Sequence, residues 1–300
     1  MNRLSTKLGR IELANPVTVA SGTFGLESGD WYDLSRLGAL VSKTITLEPR
    51  AGNQPPRLFE TSGGLLNSIG LQNPGLEAFL RDELPLYAAV GPPLMVSFSA
   101  GTVDEFCRMV ETMEKHEGIA GYEVNVSCPN VEREGMAFGT DAQVVYDLTR
   151  RLAALTQREL CVKLTPNVTD IVTIARAAQE GGATSLALIN TLLGMAIDPE
   201  TGHSRIARGV AGYSGPAIKP VAVACVWRVA QAVNIPILAM GGIAGWEDAV
   251  ELIRAGACAV AVGTAAFVSP DLPVRVLDGL DAFLARKELT LAELVGTATF

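Results

Sequence analysis

The chain has 300 residues, 48% of them hydrophobic and 19% charged. That apolar share excludes intrinsic disorder, which needs low hydrophobicity and high net charge. Lysine and arginine number 24 against 32 aspartates and glutamates, a net charge of −8, which argues against a basic nucleic-acid-binding face but leaves room for a local positive pocket.

Mean hydropathy is +0.28. The longest apolar stretch, 255–268, is interrupted by Gly256 and Thr264 and falls short of the roughly 20 residues a membrane span needs. The first residues, Met1-Asn2-Arg3-Leu4 with Lys7, Arg10 and Glu12 soon after, show no apolar core before a small-residue cleavage site, so a soluble cytoplasmic protein without a signal peptide is expected. The five cysteines, Cys107, Cys128, Cys161, Cys225 and Cys258, include no Cys-x-x-Cys pair. This predicts neither a disulfide framework nor a self-contained zinc or iron–sulfur site. With only His116 and His203, serine–histidine–aspartate hydrolysis and histidine-rich metal catalysis are disfavoured.

Taken in chain order, short β-rich runs are expected at 17–20, 40–43, 94–98, 122–125, 160–164, 185–189, 237–240 and 259–262. Their nearly continuous apolar character suits strands buried on both faces of a parallel sheet. Helical patterns at 76–90, 103–115, 141–155, 169–180, 216–233, 247–255 and 272–285 lie between or after them. Gly139-Thr140 is read as the cap of the third, Gly181-Gly182 as the stop of the fourth, and Pro216 as a first-turn proline. The alternation predicts a (β/α)8 TIM barrel in a single domain over 1–300. A doubly wound sheet is the rival, weakened because no Gly-x-Gly-x-x-Gly follows the first strand. The interval 44–93 is longer than one crossover and is expected to be an insertion near the active site.

In such barrels chemistry gathers at the carboxyl ends of the strands. Here those ends carry Lys43-Thr44, the run Asn125-Val126-Ser127-Cys128-Pro129-Asn130, Lys163, Asn190-Thr191, Gly241-Gly242 and Gly263-Thr264. Glycine pairs after the seventh and eighth strands point to a phosphate-bearing ligand held by backbone N–H groups. Taken singly, each pair reads as an ordinary turn. Lys43 and Lys163 are costly in apolar strands unless paired. One alone could snorkel to a rim; two facing one mouth suggest an anionic ligand or a ring that gathers negative charge, with Schiff-base chemistry as the competing use. Cys128 lies just past a strand in a polar loop, where a thiol of pKa about 8.5 could serve as a base; otherwise it is an inert thiol, the reading retained for the other four cysteines.

These residues sit within a longer pattern. Ala20-Ser21-Gly22-Thr23-Phe24-Gly25, Ser42-Lys43-Thr44 and Leu47-Glu48-Pro49-Arg50 come first, then Asn67-Ser68-Ile69-Gly70-Leu71-Gln72-Asn73-Pro74-Gly75. The segment from Asn125 to Asn130 and Lys163-Leu164-Thr165-Pro166-Asn167-Val168 follow. Asn190-Thr191-Leu192, Ser214-Gly215-Pro216-Ala217-Ile218-Lys219-Pro220, Gly241-Gly242-Ile243 and Val262-Gly263-Thr264 complete it. From end to end the chain resembles the class 1 dihydroorotate dehydrogenases, most closely the class 1B catalytic subunits.

The resemblance implies FMN-dependent oxidation of dihydroorotate to orotate in pyrimidine synthesis, with Cys128 as the catalytic base. It implies substrate contacts from Lys43, Asn67, Ser68, Ile69, Gly70, Leu71, Asn125, Asn190 and Thr191. Cofactor contacts are implied for Ser21, Lys43, Thr44, Asn125, Lys163, Ile189, Gly215, Gly241, Gly242, Gly263 and Thr264, and no metal. It further implies a homodimer joined to a separate FAD and [2Fe–2S] subunit as a heterotetramer that passes electrons to NAD, with residues 132–140 as a lid. One departure stands out: Phe98 occupies the place where the family usually has an asparagine near the flavin, so Ser97 or Ser99 is expected to supply that contact. The competing readings are a fumarate-using class 1A enzyme, another flavin-dependent pyrimidine or dihydrouridine reductase, a Schiff-base lyase, and a non-enzymatic phosphate-ligand barrel.

Overall fold

The computed structural model describes residues 2–127 and 137–299. The chain opens with an antiparallel hairpin of β1 (Thr6–Leu8) and β2 (Ile11–Leu13). Then come β3 (Val17–Val19), β4 (Leu40–Val41), β5 (Leu58–Thr61), β6 (Gly64–Asn67), β7 (Leu94–Phe98) and β8 (Gly121–Asn125). The remainder are β9 (Glu159–Lys163), β10 (Ser185–Leu188), β11 (Leu192–Gly194), β12 (Ala211–Ser214), β13 (Ile237–Met240) and β14 (Ala259–Val262).

Eight of these form one parallel sheet in the order β3-β14-β13-β10-β9-β8-β7-β4. Its two edges meet. Gly38 N donates to Val17 O at 2.8 Å, and Thr18 Oγ1 donates to Ala39 O at 2.7 Å. With helices between the strands, the result is the expected (β/α)8 barrel, and all eight predicted strands coincide with observed ones to within two residues.

The pleat divides the core in two. Val96, Phe98, Tyr122, Val124, Leu160 and Val162 face the helices, while Met95, Cys161, Ala187, Leu238 and Ala259 fill the barrel interior. This two-sided burial is why the strands read as nearly continuous apolar runs rather than as alternating ones. Leu8, Ile11 and Leu13 join the interior cluster, so the first hairpin plugs the amino-terminal end. Its turn is tied to the fully buried Glu159, which accepts from Arg10 N and, at 2.6 Å, from Ser185 Oγ. Gly9 has φ +56°, and a Cβ there would lie 2.1 Å from that carboxylate, so the turn needs glycine.

Helices flank the barrel where the pattern predicts them, with ends set by side-chain caps. Thr102 caps Val103–Met113, Asp141 caps Ala142–Ala153 and Asp170 caps Ile171–Glu180. For the second of these, Asp141 takes the capping role expected of Gly139-Thr140, because its carboxylate reaches Gln143 N and Val144 N. Residues 76–88 are helical with a π turn at Phe79–Glu83 ahead of Pro85, which lacks the N–H a regular turn would use.

Interval 44–93 contributes β5 and β6. They join β11 and β12, from the segment after β10, in an antiparallel sheet of order β11-β12-β6-β5. No helix among the described residues is long and apolar enough to cross a membrane.

Candidate active site at the carboxyl end of the barrel

A cavity of about 720 Å³ opens at the carboxyl ends of the barrel strands, beside the four-stranded sheet. Apart from Ser97 and Ser99, every described residue predicted from the sequence to bind substrate or cofactor lines it: Ser21, Lys43, Thr44, Asn67, Ser68, Ile69, Gly70, Leu71, Asn125, Lys163, Ile189, Asn190, Thr191, Gly215, Gly241, Gly242, Gly263 and Thr264. Cys128, the predicted base, lies outside the described residues, as do residues 132–136 of the predicted lid.

The barrel interior supplies the floor. Lys163, at the end of β9, is 4% exposed. Its Nζ donates to Ser21 Oγ at 3.1 Å and to Glu123 Oε1 at 3.3 Å. Lys43, just past β4, has no carboxylate within ion-pair reach among the described residues. Its Nζ lies against Gly22, where a Cβ would approach it to 2.9 Å. Burial, the Lys163 ammonium and the Arg57 guanidinium hold the Lys43 pKa below the ordinary lysine value of 10.5. A cation in that state gains from an anionic partner, because the partner relieves both desolvation and repulsion.

An amide cluster stands beside the lysines. Asn190 Nδ2 donates to Ser127 Oγ at 2.8 Å and to Asn125 Oδ1 at 3.4 Å, while Asn190 Oδ1 accepts from Thr191 N at 2.8 Å. Asn125 Oδ1 also accepts from Ser127 N at 3.1 Å, and Asn167 Nδ2 braces Thr191 O at 2.9 Å. Asn67 reaches in from β6, its Nδ2 3.5 Å from Gly212 O on β12. Such amides offer donors and an acceptor from one side chain, which suits a heterocycle carrying both N–H and C=O.

The far wall is backbone. Gly241 (φ +124°) and Gly242 (φ +79°) follow β13, and Gly215 (φ +101°) precedes the helical start at Pro216. A Cβ on Gly242 would stand 2.6 Å from Lys219 Cβ, and one on Gly215 would stand 2.7 Å from Gly64 Cα. Glycine therefore lets these turns nest against the amino end of helix Lys219–Ala230 and against the β5–β6 hairpin. Lys219 is engaged elsewhere, with Asp248 at 2.8 Å and Glu251 at 2.6 Å. After β14, Gly263 leaves open space, with no atom closer than 3.5 Å to a Cβ there. Thr264 Oγ1 donates to Ser214 Oγ at 2.8 Å. Backbone turns meeting at a helix start make an anion cradle.

Comparison with known proteins decides the family. Residues 3–284 match the dihydroorotate dehydrogenase family. The chain belongs to that family. It is 48% identical over 299 residues to the catalytic subunit of dihydroorotate dehydrogenase B (NAD(+)) of Desulforudis audaxviator, covering 99% of this chain and 97% of the relative. It is 44% identical over 297 residues to the subunit of the same name from Thermoanaerobacter pseudethanolicus, covering 98% of each. With that of Geobacillus kaustophilus it shares 47% over 286 residues, 95% of this chain and 91% of the relative.

The departure of this dehydrogenase sequence at Phe98 has a structural reading. Phe98 faces away from the cavity, buried between Phe106 and Tyr122 with ring centroids 5.6 and 5.9 Å away. Neither serine beside it lines the cavity. Ser97 Oγ meets Thr44 Oγ1 at 2.9 Å, and Ser99 Oγ donates to Asn125 O at 2.8 Å, so both brace lining residues from behind. Sequence reasoning missed several lining residues, Ser127, Ser214, Arg50 and Arg208 among them. Glu123 went unread too, although a glutamate inside an apolar strand was a visible signal. Leu71, one of two non-glycine residues with positive φ (+54°) among the described residues, pins the segment that carries Asn67 to Gly70; such strain gathers at ligand-binding segments.

Proposed function

We propose that this chain is the catalytic subunit of a class 1B dihydroorotate dehydrogenase, oxidising (S)-dihydroorotate to orotate in pyrimidine synthesis. The observation that carries this reading is the meeting, in one cavity of a chain of this family, of a paired buried lysine, a half-buried lysine with no carboxylate partner among the described residues, an amide cluster and a glycine-built anion cradle.

The residues present fit FMN. The cavity falls within the few hundred to about 1,000 Å³ usual for small-molecule sites. Gly215, Gly241, Gly242, Gly263 and Thr264 would hold the phosphate. Lys163, Thr44 and Asn125 would meet the ring, Ser21 and Ile189 standing beside them. Bound there, FMN would supply the hydride acceptor for C6 of the substrate.

The chain's own residues do the rest. Lys43 binds the substrate carboxylate. Asn67, Asn125, Asn190 and Thr191, with the backbone of Ser68 to Leu71, orient the ring. Cys128 takes the proton from C5. A separate subunit holding FAD and [2Fe–2S] would supply the route onward to NAD, in a cytoplasmic heterotetramer built on a homodimer. The relatives, each named as a catalytic subunit of an NAD(+) enzyme, support that assignment.

The test is turnover. The chain should oxidise dihydroorotate far faster than it acts on dihydrouracil, and should reduce NAD only with the second subunit present. Preference for dihydrouracil would move it to another pyrimidine reductase, and efficient fumarate reduction by the chain alone would move it to class 1A.

A further inference from the structure

Among the described residues, two ammonium groups, Lys43 and Lys163, line the cavity floor, and one carboxylate, Glu123, lies beneath it. Glu123 lies on β8 with no solvent exposure, one layer deeper in the barrel than Asn125. Its Oε1 is 3.3 Å from Lys163 Nζ. Its Oε2 is buried without a hydrogen-bond partner. The register explains the reach: Asn125 pairs with Lys163, and Glu123 with Cys161. Both acid and lysine therefore point into the barrel on neighbouring strands, the acid one pleat below. Lys43, on the other side of the floor, has no such counter-charge among the described residues.

We propose that Glu123 is a positioning residue that divides the work of the two lysines. It pins Lys163 and cancels much of its charge, so that the ring above meets an oriented ion pair rather than a bare cation. Lys43 keeps its full charge for the anionic substrate. A buried carboxylate left half-satisfied is costly, and a well-packed barrel would hold a neutral side chain at that place more cheaply. The pair also sits where water cannot screen it, so its effect on a ring that gains negative charge is larger than that of a surface pair.

This inference rests on the flavin reading. It follows that Glu123 lowers the tendency of the bound flavin to take electrons, because it offsets the cation that favours the reduced, more negative form. Glu123→Gln keeps shape and hydrogen bonding but removes the charge. The FMN-loaded variant should bind oxidised FMN within about threefold of the parent. Its midpoint potential should rise by about 30 mV, a tenfold change in relative hold on the two flavin states for a two-electron couple. Lys163→Met should lower the potential. In Glu123→Gln with Lys163→Met the potential should lie closer to that of Lys163→Met alone than Glu123→Gln lies to the parent, since the carboxylate acts on the ring through the lysine it pins.

A parent potential in Glu123→Gln would overturn the proposal, and so would an equal upward shift with and without Lys163. Glu123→Asp, which keeps the charge but draws it back by one methylene, should raise the potential by a smaller amount. It serves if the glutamine variant does not fold, and an unshifted potential there would also contradict the proposal. Failure of the parent chain to bind FMN at all would instead overturn the flavin reading beneath it.

Discussion

Lys43 lends itself to a quantitative test. Its ammonium is half-buried, lacks a carboxylate partner among the described residues, and is pushed below the usual lysine pKa first by burial and then by Lys163 and Arg57. An orotate carboxylate placed on it makes a charge-assisted hydrogen bond, worth about 1.5–3 kcal/mol. Lys43→Met removes that bond but keeps most of the apolar stem. Orotate should then bind roughly 10- to 150-fold more weakly near neutral pH. The sign of the pH dependence follows from the direction of the shift. In the parent protein the cation is present at neutral pH and is lost as pH rises through a value below 10.5. Affinity should therefore fall on the alkaline side, approaching tenfold per pH unit, and meet the weak and nearly flat line of Lys43→Met. Calorimetric titration of orotate into the FMN-loaded protein, from about pH 6 to about pH 10, measures both curves. Parent-like affinity in Lys43→Met, or parallel curves at all pH values, would refute the assignment of the carboxylate to Lys43.

Four further outcomes are expected. Cys128→Ala should stay yellow yet reduce its flavin about 10²- to 10⁴-fold more slowly with dihydroorotate in stopped flow at neutral pH; an unchanged rate would remove Cys128 as the base. Gly215→Ala forces a side chain into the left-handed region, at about 1–2 kcal/mol, and against Gly64 Cα; FMN affinity and melting temperature should both drop, and an unaltered Kd would argue against the cradle. Asn190→Ala strips the partner of Ser127 Oγ and Thr191 N; KM for dihydroorotate should rise about 5- to 150-fold with FMN retention unchanged, whereas loss of FMN would place Asn190 against the cofactor instead. Gly9→Ala should lower thermal stability without changing kcat, since the residue it would strike, Glu159, lies at the closed end of the barrel; a changed kcat would contradict that separation.

The barrel was legible because its strands are buried on both faces. Runs such as Ile237–Met240 and Ala259–Val262 are apolar throughout, a signal that needs no knowledge of neighbours. The four-stranded sheet was not. Its strands are mostly half-buried or exposed, as in Leu58–Thr61, and β6 pairs with β12, Asn67 opposite Gly212, across most of the barrel sequence. No local pattern reports such a pairing. The first hairpin, Thr6–Leu8 with Ile11–Leu13, was overlooked for a similar reason: two three-residue strands around Gly9 make sense only once the barrel floor they plug is known.

At the site, polar residues at strand ends announced themselves because polarity is conspicuous at the end of an apolar run; Lys43, Lys163, Asn125 and Asn190 are of this kind. Supporting groups were hidden. Ser97 bracing Thr44, Asn167 bracing Thr191 and Glu123 beneath Lys163 act from adjacent strands or loops, and their partners are set by barrel register. Phe98 shows the same limit from the other side. By resemblance it stands where the family usually has an asparagine near the flavin, but the pleat of β7 turns it outward among Phe106 and Tyr122.

The account turns on whether this cavity carries a flavin that dihydroorotate can reduce. The most direct measurement is anaerobic titration of the purified chain, supplemented with FMN, with dihydroorotate while the visible flavin band is followed. The account predicts one tightly held FMN per chain and bleaching of the band with stoichiometric appearance of orotate. A chain that takes up no FMN, or one whose bound flavin stays oxidised under excess dihydroorotate, would contradict it.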